Sequence, residues 1–60
     1  MTERPWKVHV AKIVERAEGF RLFVEMETIA HDGAQLFIAR EFEPDLLLTA
    51  AIQRIQEEAE

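Results

Sequence analysis

Apolar and polar residues alternate strictly from Phe20 onward. One side of the extended chain carries only apolar residues, namely Phe20, Leu22, Val24 and Met26. Alternation with a period of two over this length predicts a half-buried strand at 20–29. After Gly33 a second run, rich in strand-favouring residues, predicts another strand at 35–42.

The turn at Gly33 decides the register between these two strands. A two-residue Asp32-Gly33 loop would mix apolar and polar residues on both faces. A three-residue loop, with Gly33 in the left-handed position of a type I turn plus bulge, pairs Met26 with Ile38 and gathers the apolar residues on one face. We predict the second register, because a slip of one residue reverses every side chain.

An acid followed by a glycine also precedes Phe20, and it predicts a second three-residue loop, Ala17-Glu18-Gly19, after a strand at 6–16. In this register Lys12 and Arg40 flank Val24 on the apolar face. We interpret both as residues of edge strands whose charged ends reach solvent, because lysine and arginine commonly protect sheet edges. An anion-binding site is the less favoured interpretation. The same register places four apolar residues of the first strand on that face: Trp6, Val8, Val10 and Val14.

The period changes after Phe42. Pro44 within an acidic stretch predicts a helix over 44–58, capped by Glu43 or Asp45. Leu46 points away from its apolar stripe, and we expect it to contact a loop or a neighbouring chain. The stripe itself consists of Leu48, Ala51, Ile52, Ile55 and Ala59. The chain therefore predicts one α+β domain over 1–60, a three-stranded antiparallel meander followed by one C-terminal helix packed on one sheet face (βββα), with 1–5 as a flexible tail.

Composition adds two constraints. A chain of 60 residues without cysteine buries only about 60% of its unfolded surface and has no disulfides to support it, which leaves oligomerisation as a common remedy. Twelve acidic against seven basic residues give a net charge of −5, which disfavours nucleic acid and anionic membranes as partners. The absence of cysteine and of a long apolar stretch predicts a cytoplasmic protein without a membrane segment.

Candidate chemistry is sparse. His9 is expected opposite Glu27, where a cross-strand charge pair explains both residues better than an acid/base couple or half of a metal site. The chain contains no serine, and Gly19 and Gly33 are too far apart for a phosphate-binding loop. We therefore predict no catalytic, cofactor-binding or metal site and no enzymatic activity.

The face opposite the predicted helix is more apolar than a solvated sheet face requires. Together with Leu46, its apolar residues form the predicted interface: Ile13, Phe23, Phe37, Ala39 and Ile29. The third strand carries no charge until Arg40, so its edge is the preferred contact. The sequence thus predicts a small acidic protein–protein interaction module that forms a homo-oligomer, a dimer or higher. Another protein is a further possible partner.

An alternative is a nucleic-acid-associated β-sheet module of a regulatory or antitoxin-like protein. The order of elements resembles that of sheet-type DNA readers, such as integrase arm-binding domains, and of the first part of HicB-like antitoxins. A DNA reader needs a basic sheet face, whereas the face predicted here is acidic and apolar. The loop motif of the antitoxins is missing as well, and likeness of fold alone does not carry function.

Overall fold

The computed structural model describes residues 6–59. The strands β1 (Lys7–Arg16), β2 (Gly19–Ile29) and β3 (Gln35–Phe42) precede a helix, α1 (Leu48–Ala59). The strands form one antiparallel sheet in the order β1-β2-β3, which confirms the predicted βββα fold. The predicted tail at 1–5 lies outside the described residues. Within the described part of the chain, no helix is long and apolar enough to cross a membrane.

The hairpin between β2 and β3 has the predicted register. Met26 pairs with Ile38, and the turn is closed by the Gly33 amide, which donates to the Ala30 carbonyl over 2.9 Å. Gly33 has a φ of 91°, the left-handed conformation that a type I turn with a bulge requires. The Ala34 amide donates to Asp32 Oδ1 over 3.0 Å, so the aspartate stabilises the loop locally.

The hairpin between β1 and β2 differs from its prediction by one residue. Gly19 does have a positive φ, 123°, but it pairs with Arg16, so only Ala17 and Glu18 connect the strands. Ile13 therefore pairs with Leu22 and lies on the helix side, which the prediction had given to Val14 and Lys12. No residue of β1 is fully buried. Burial of apolar side chains therefore did not select the register of this strand.

A bulge between Val8 and Val10 shifts the register of β1 once more. Val8 pairs with Met26, and Trp6, just before the strand, packs partly buried against the core. Val10 instead pairs with Glu25 and is not part of the core, contrary to its prediction. The bulge thus places the start of β1 on the helix side as predicted, although the side chains from Val10 to Arg16 point to the faces opposite to those predicted.

The core lies between α1 and the strands β2 and β3. It consists of Leu22, Val24, Met26, Phe42, Ala51 and Ile55. Thr28, 2% exposed, is buried at its end. The helix begins at Leu48 rather than at Pro44: the Leu46 amide donates to the Glu43 carbonyl in a separate turn, and the Ala51 amide donates to the Leu47 carbonyl. The predicted acidic cap is therefore wrong, and the first turn of α1 carries no acidic residue.

Candidate interaction surfaces

The sheet face opposite α1, called the outer face here, carries four of the predicted interface residues. Phe37 and Ile29 are about half exposed, while Phe23 and Ala39 are partly buried among their neighbours. The other two residues lie elsewhere. Ile13 is on the helix side because it pairs with Leu22, and Leu46 packs against the protein's own core. Leu47, next to it, is 73% exposed instead.

The sequence predicted an acidic outer face, but the outer face carries charges of both signs. The shift of β1 brings Lys12 and Arg16 onto this face, where Lys12 pairs with Phe23. Its cations are Lys7, Lys12, Arg16 and Arg21, and its carboxylates are Glu25, Glu27 and Glu41. The two signs are interspersed, so the face attracts neither a polyanion nor a polycation strongly.

Arg16 and Glu41 form the best-defined ion pair of the outer face. Arg16 Nε donates to Glu41 Oε2 over 2.9 Å, and Nη2 bonds the same oxygen. This bond to Arg16 holds the pKa of the Glu41 carboxyl below its ordinary value, and the same bond raises the pKa of Arg16. An open depression of about 380 Å³ beside the pair is lined by Arg16, Glu18, Arg21 and Glu41. Its matched charges give it no preference for an anion or a cation.

His9 lies at the other end of the outer face. Its Nδ1 is 2.8 Å from Glu27 Oε2, and its Nε2 is 3.8 Å from Glu25 Oε1. The predicted contact between His9 and Glu27 is therefore present, although Glu27 pairs with Lys7 in the backbone register. The imidazole also meets the ring of Phe37 edge-on, with 5.6 Å between the ring centroids. These contacts fix the orientation of Phe37 on the outer face.

The free edge of β3 is a second candidate surface, because this strand pairs with β2 alone among the described strands. The Ala30 amide donates to the Ala34 carbonyl over 2.8 Å, which identifies Ala30 and Ala34 as a hydrogen-bonded pair. Hydrogen-bonded pairs alternate along an antiparallel ladder. The even-numbered residues of β3 therefore direct their backbone groups to β2, and the odd-numbered residues, among them Phe37 and Ala39, direct theirs to the edge.

The helix side of β1 is a third surface, which the sequence analysis missed. Val8, Ile13 and Phe20 are 41%, 52% and 59% exposed there. We call Val8, Ala11, Ile13 and Phe20 the helix-side strip. The sequence signal for it is the presence of one helix for three strands, because a helix about 10 Å wide covers about two strands spaced 4.8 Å apart.

No group of three or more histidine, cysteine, aspartate or glutamate residues that could hold a metal occurs between residues 6 and 59. Comparisons with protein-family models, with curated proteins and with solved structures found no match. The three surfaces are therefore the features of the described residues from which a function can be proposed.

Proposed function

We propose that this protein is a small, acidic, non-catalytic protein–protein interaction module of the cytoplasm that self-associates through the edge of β3. Two copies would join their three-stranded sheets into one six-stranded sheet about a two-fold axis. The observation that carries this proposal is the unequal protection of the two edges of the sheet.

The edge of β1 has the features that discourage pairing with another chain. It is bulged between Val8 and Val10, and Lys7 and Lys12 are exposed along it. Bulges and lysines are common means by which natural sheets protect their edges. β3 keeps a continuous register with β2 from Gln35 to Phe42, so its edge is a regular template for an added strand.

The hydrogen bonds of Arg40 select the register of the proposed pairing. Arg40 Nη1 donates to the Ala39 carbonyl over 2.7 Å, so this outward acceptor is already occupied. An antiparallel pairing centred on Phe37 uses the amide and carbonyl of Phe37 in both copies at the axis, and it needs the Ala39 carbonyl only in the flanking pair with Gln35. A pairing centred on Ile38 would need the Ala39 carbonyl of both copies in the bonds to Phe37 next to the axis. We therefore expect the two-fold axis at Phe37.

This register is also favourable for the side chains. The two Phe37 rings would be neighbours on the outer face, and Leu36 of each copy would lie next to Ile38 of the other on the helix side. Leu36 and Ile38 are only partly buried in the single chain. Cross-strand aromatic and aliphatic pairs of this kind stabilise antiparallel sheets.

Sedimentation of Ala39→Pro beside Ala39→Val tests the edge. The Ala39 amide faces outward, so proline removes no bond to β2 but blocks strand addition, whereas valine keeps the amide. We expect a dimer at micromolar concentration for the wild type and for Ala39→Val, and a monomer for Ala39→Pro. A wild-type monomer would refute self-association.

The competing dimer packs outer face against outer face. Phe23→Glu, at the centre of that face and away from the β3 edge, should dissociate such a dimer and leave the edge dimer intact. Dissociation by Phe23→Glu combined with resistance to Ala39→Pro would therefore contradict the edge proposal. Phe37→Glu does not separate the two arrangements, because it places like charges next to each other in the edge dimer as well.

A second candidate function is association with nucleic acid, and the presence of Lys12 and Arg16 on the outer face favours it. Against it stand the net charge of −5 and the pairing of Arg16 with Glu41. Passage of the protein through heparin resin at low salt is the result expected for the first proposal. Retention that disappears in a Lys12→Gln, Arg16→Gln variant would support the second.

A further inference from the structure

The helix-side strip is left open because α1 packs against β2 and β3. On β1 the side chains that face this side are Val8, Ala11, Ile13 and, at the end of the strand, Glu15. Phe20 of β2 extends the strip toward the first turn. An apolar row on a sheet face beside a helix is normally covered, but here most of its large residues are about half exposed.

The orientation of α1 adds an apolar wall to this strip. Arg40 Nε donates to Glu58 Oε1 over 2.7 Å, which turns the Glu58 flank of the helix toward β3. At 100° per residue, Leu48 and Ile52 lie on the opposite flank, beyond the buried Ala51 and Ile55. Leu48 is 42% exposed and Ile52 is partly buried. The strip and this flank together form a groove with an apolar floor and an apolar wall.

The dimensions of the groove fit a helix better than a second folded copy. Val8 and Ile13 pair with Met26 and Leu22, which are four residues apart on β2, so the strip advances roughly 13 Å between them, the length of about nine residues of α-helix. A stable dimer of folded domains buries about 800 Å² on each partner, and four side chains with one helix flank offer less than this. A single amphipathic helix in a groove needs only a few apolar anchors three and four residues apart.

The charges beside the groove select the sign of the partner. All the basic residues of β1, namely Lys7, Lys12 and Arg16, lie on the outer face. Glu15, which pairs with Phe20, is the charged residue of β1 on the groove side, beyond Ile13. A partner with a basic residue beside its apolar stripe would complement this carboxylate.

We propose that the groove between α1 and the edge of β1 binds an amphipathic helix of about three turns from a partner protein, with basic residues flanking its apolar stripe. The groove is on the opposite margin of the sheet from the β3 edge. This binding is therefore independent of the self-association proposed above, and it would leave each copy of a dimer with its own groove.

The test is a titration of ¹⁵N-labelled protein, in the Ala39→Pro background that removes edge pairing, with synthetic 14-residue peptides. The probe contains leucine at positions i, i+3, i+4 and i+7 and lysine elsewhere. One control has the same composition with the leucines scattered, and another has glutamate in place of lysine. We expect the probe to shift the amide signals of the helix-side strip and of Leu48, and both controls to bind at least tenfold more weakly.

Matched variants locate the contact. Ile13 and Ile29 are exposed to a similar extent, 52% and 50%, on opposite faces of the sheet. Val8→Thr combined with Ile13→Thr should weaken binding about tenfold, whereas Ile29→Thr should leave it unchanged. Threonine keeps the β-branched shape and adds no charge, and well-dispersed spectra will show that both variants are folded.

Three outcomes would overturn the proposal: shifts confined to the outer face, equal binding of the glutamate peptide, or no binding at millimolar peptide. Concentration-dependent shifts of the strip without peptide would show that a second copy occupies the groove, which would also overturn it. Failure of the β3 edge dimer would leave this result unaffected, so the two proposals fail separately.

Discussion

Arg16 and Glu41 join the two edge strands of the sheet across β2, with Arg16 Nε 2.9 Å from Glu41 Oε2. The bond crosses the strand that separates them in the order β1-β2-β3. It lies at the end of the sheet where the first hairpin turns, and it joins strands that share no backbone ladder. Both side chains remain partly exposed, so water and salt weaken the pair.

The first prediction concerns pH. Because the bond to Arg16 lowers the pKa of Glu41 in the folded protein, the pair stabilises the fold above the pKa of the unfolded carboxyl, which is about 4.3. This stabilisation is lost as the pH falls through the lowered pKa of the folded state. The difference in urea midpoint between wild type and Glu41→Gln should therefore be largest near neutral pH and vanish in acid.

Glu43→Gln is the control for this measurement, because the side chain of Glu43 is exposed. It should show a smaller dependence on pH. A Glu41→Gln difference that stays constant from pH 7 to pH 3 would show that the ion pair does not contribute in solution.

The second prediction compares two cross-strand partners. Leu22 and Ile13 pair directly on the helix side of the sheet, but Leu22 is 8% exposed and Ile13 is 52% exposed. Leu22→Ala should cost about 2–5 kcal/mol because it leaves a cavity under α1. Ile13→Ala should cost less than about 1 kcal/mol because its site is open to water. Equal losses in chemical denaturation would mean that α1 also covers β1.

The third prediction compares substitutions at the two glycines, Gly19 and Gly33. A Cβ at Gly19 or at Gly33 would meet no atom within 4 Å, so the cost of alanine arises from the backbone conformation alone. It should be about 1 kcal/mol or more at both sites. Asparagine tolerates the left-handed region and should recover part of the loss at Gly33, where φ is 91°, but not at Gly19, where φ is 123°.

Thermal or urea unfolding of the four single variants measures these losses. A Gly19→Asn protein as stable as Gly33→Asn would show that the first turn relaxes to an ordinary conformation in solution.

The sequence by itself determined the central hairpin. Strict alternation in β2 and the left-handed requirement at Gly33 agreed on one register, because β2 is buried on its helix side and a slip would have exposed that whole face. The same pattern of apolar and polar residues predicted the order of elements and the burial of Leu22, Val24 and Ile55 in the core. The helix is present as predicted, but it begins at Leu48 and not at Pro44, because Glu43 and Leu46 form a separate turn.

Only the tertiary structure decided which way β1 faces. One helix covers two of the three strands, so the side chains of β1 are not fully buried on either face, and its alternation could not choose between registers. The two-residue connection at Ala17 and Glu18 and the bulge at Val8 set the phase instead. The connection moved Ile13 off the outer face and moved Lys12 and Arg16 onto it, whereas the bulge keeps Val8 on the helix side. The edge of β3 was predicted from its uncharged run, whereas the groove beside α1 depended on how the helix lies.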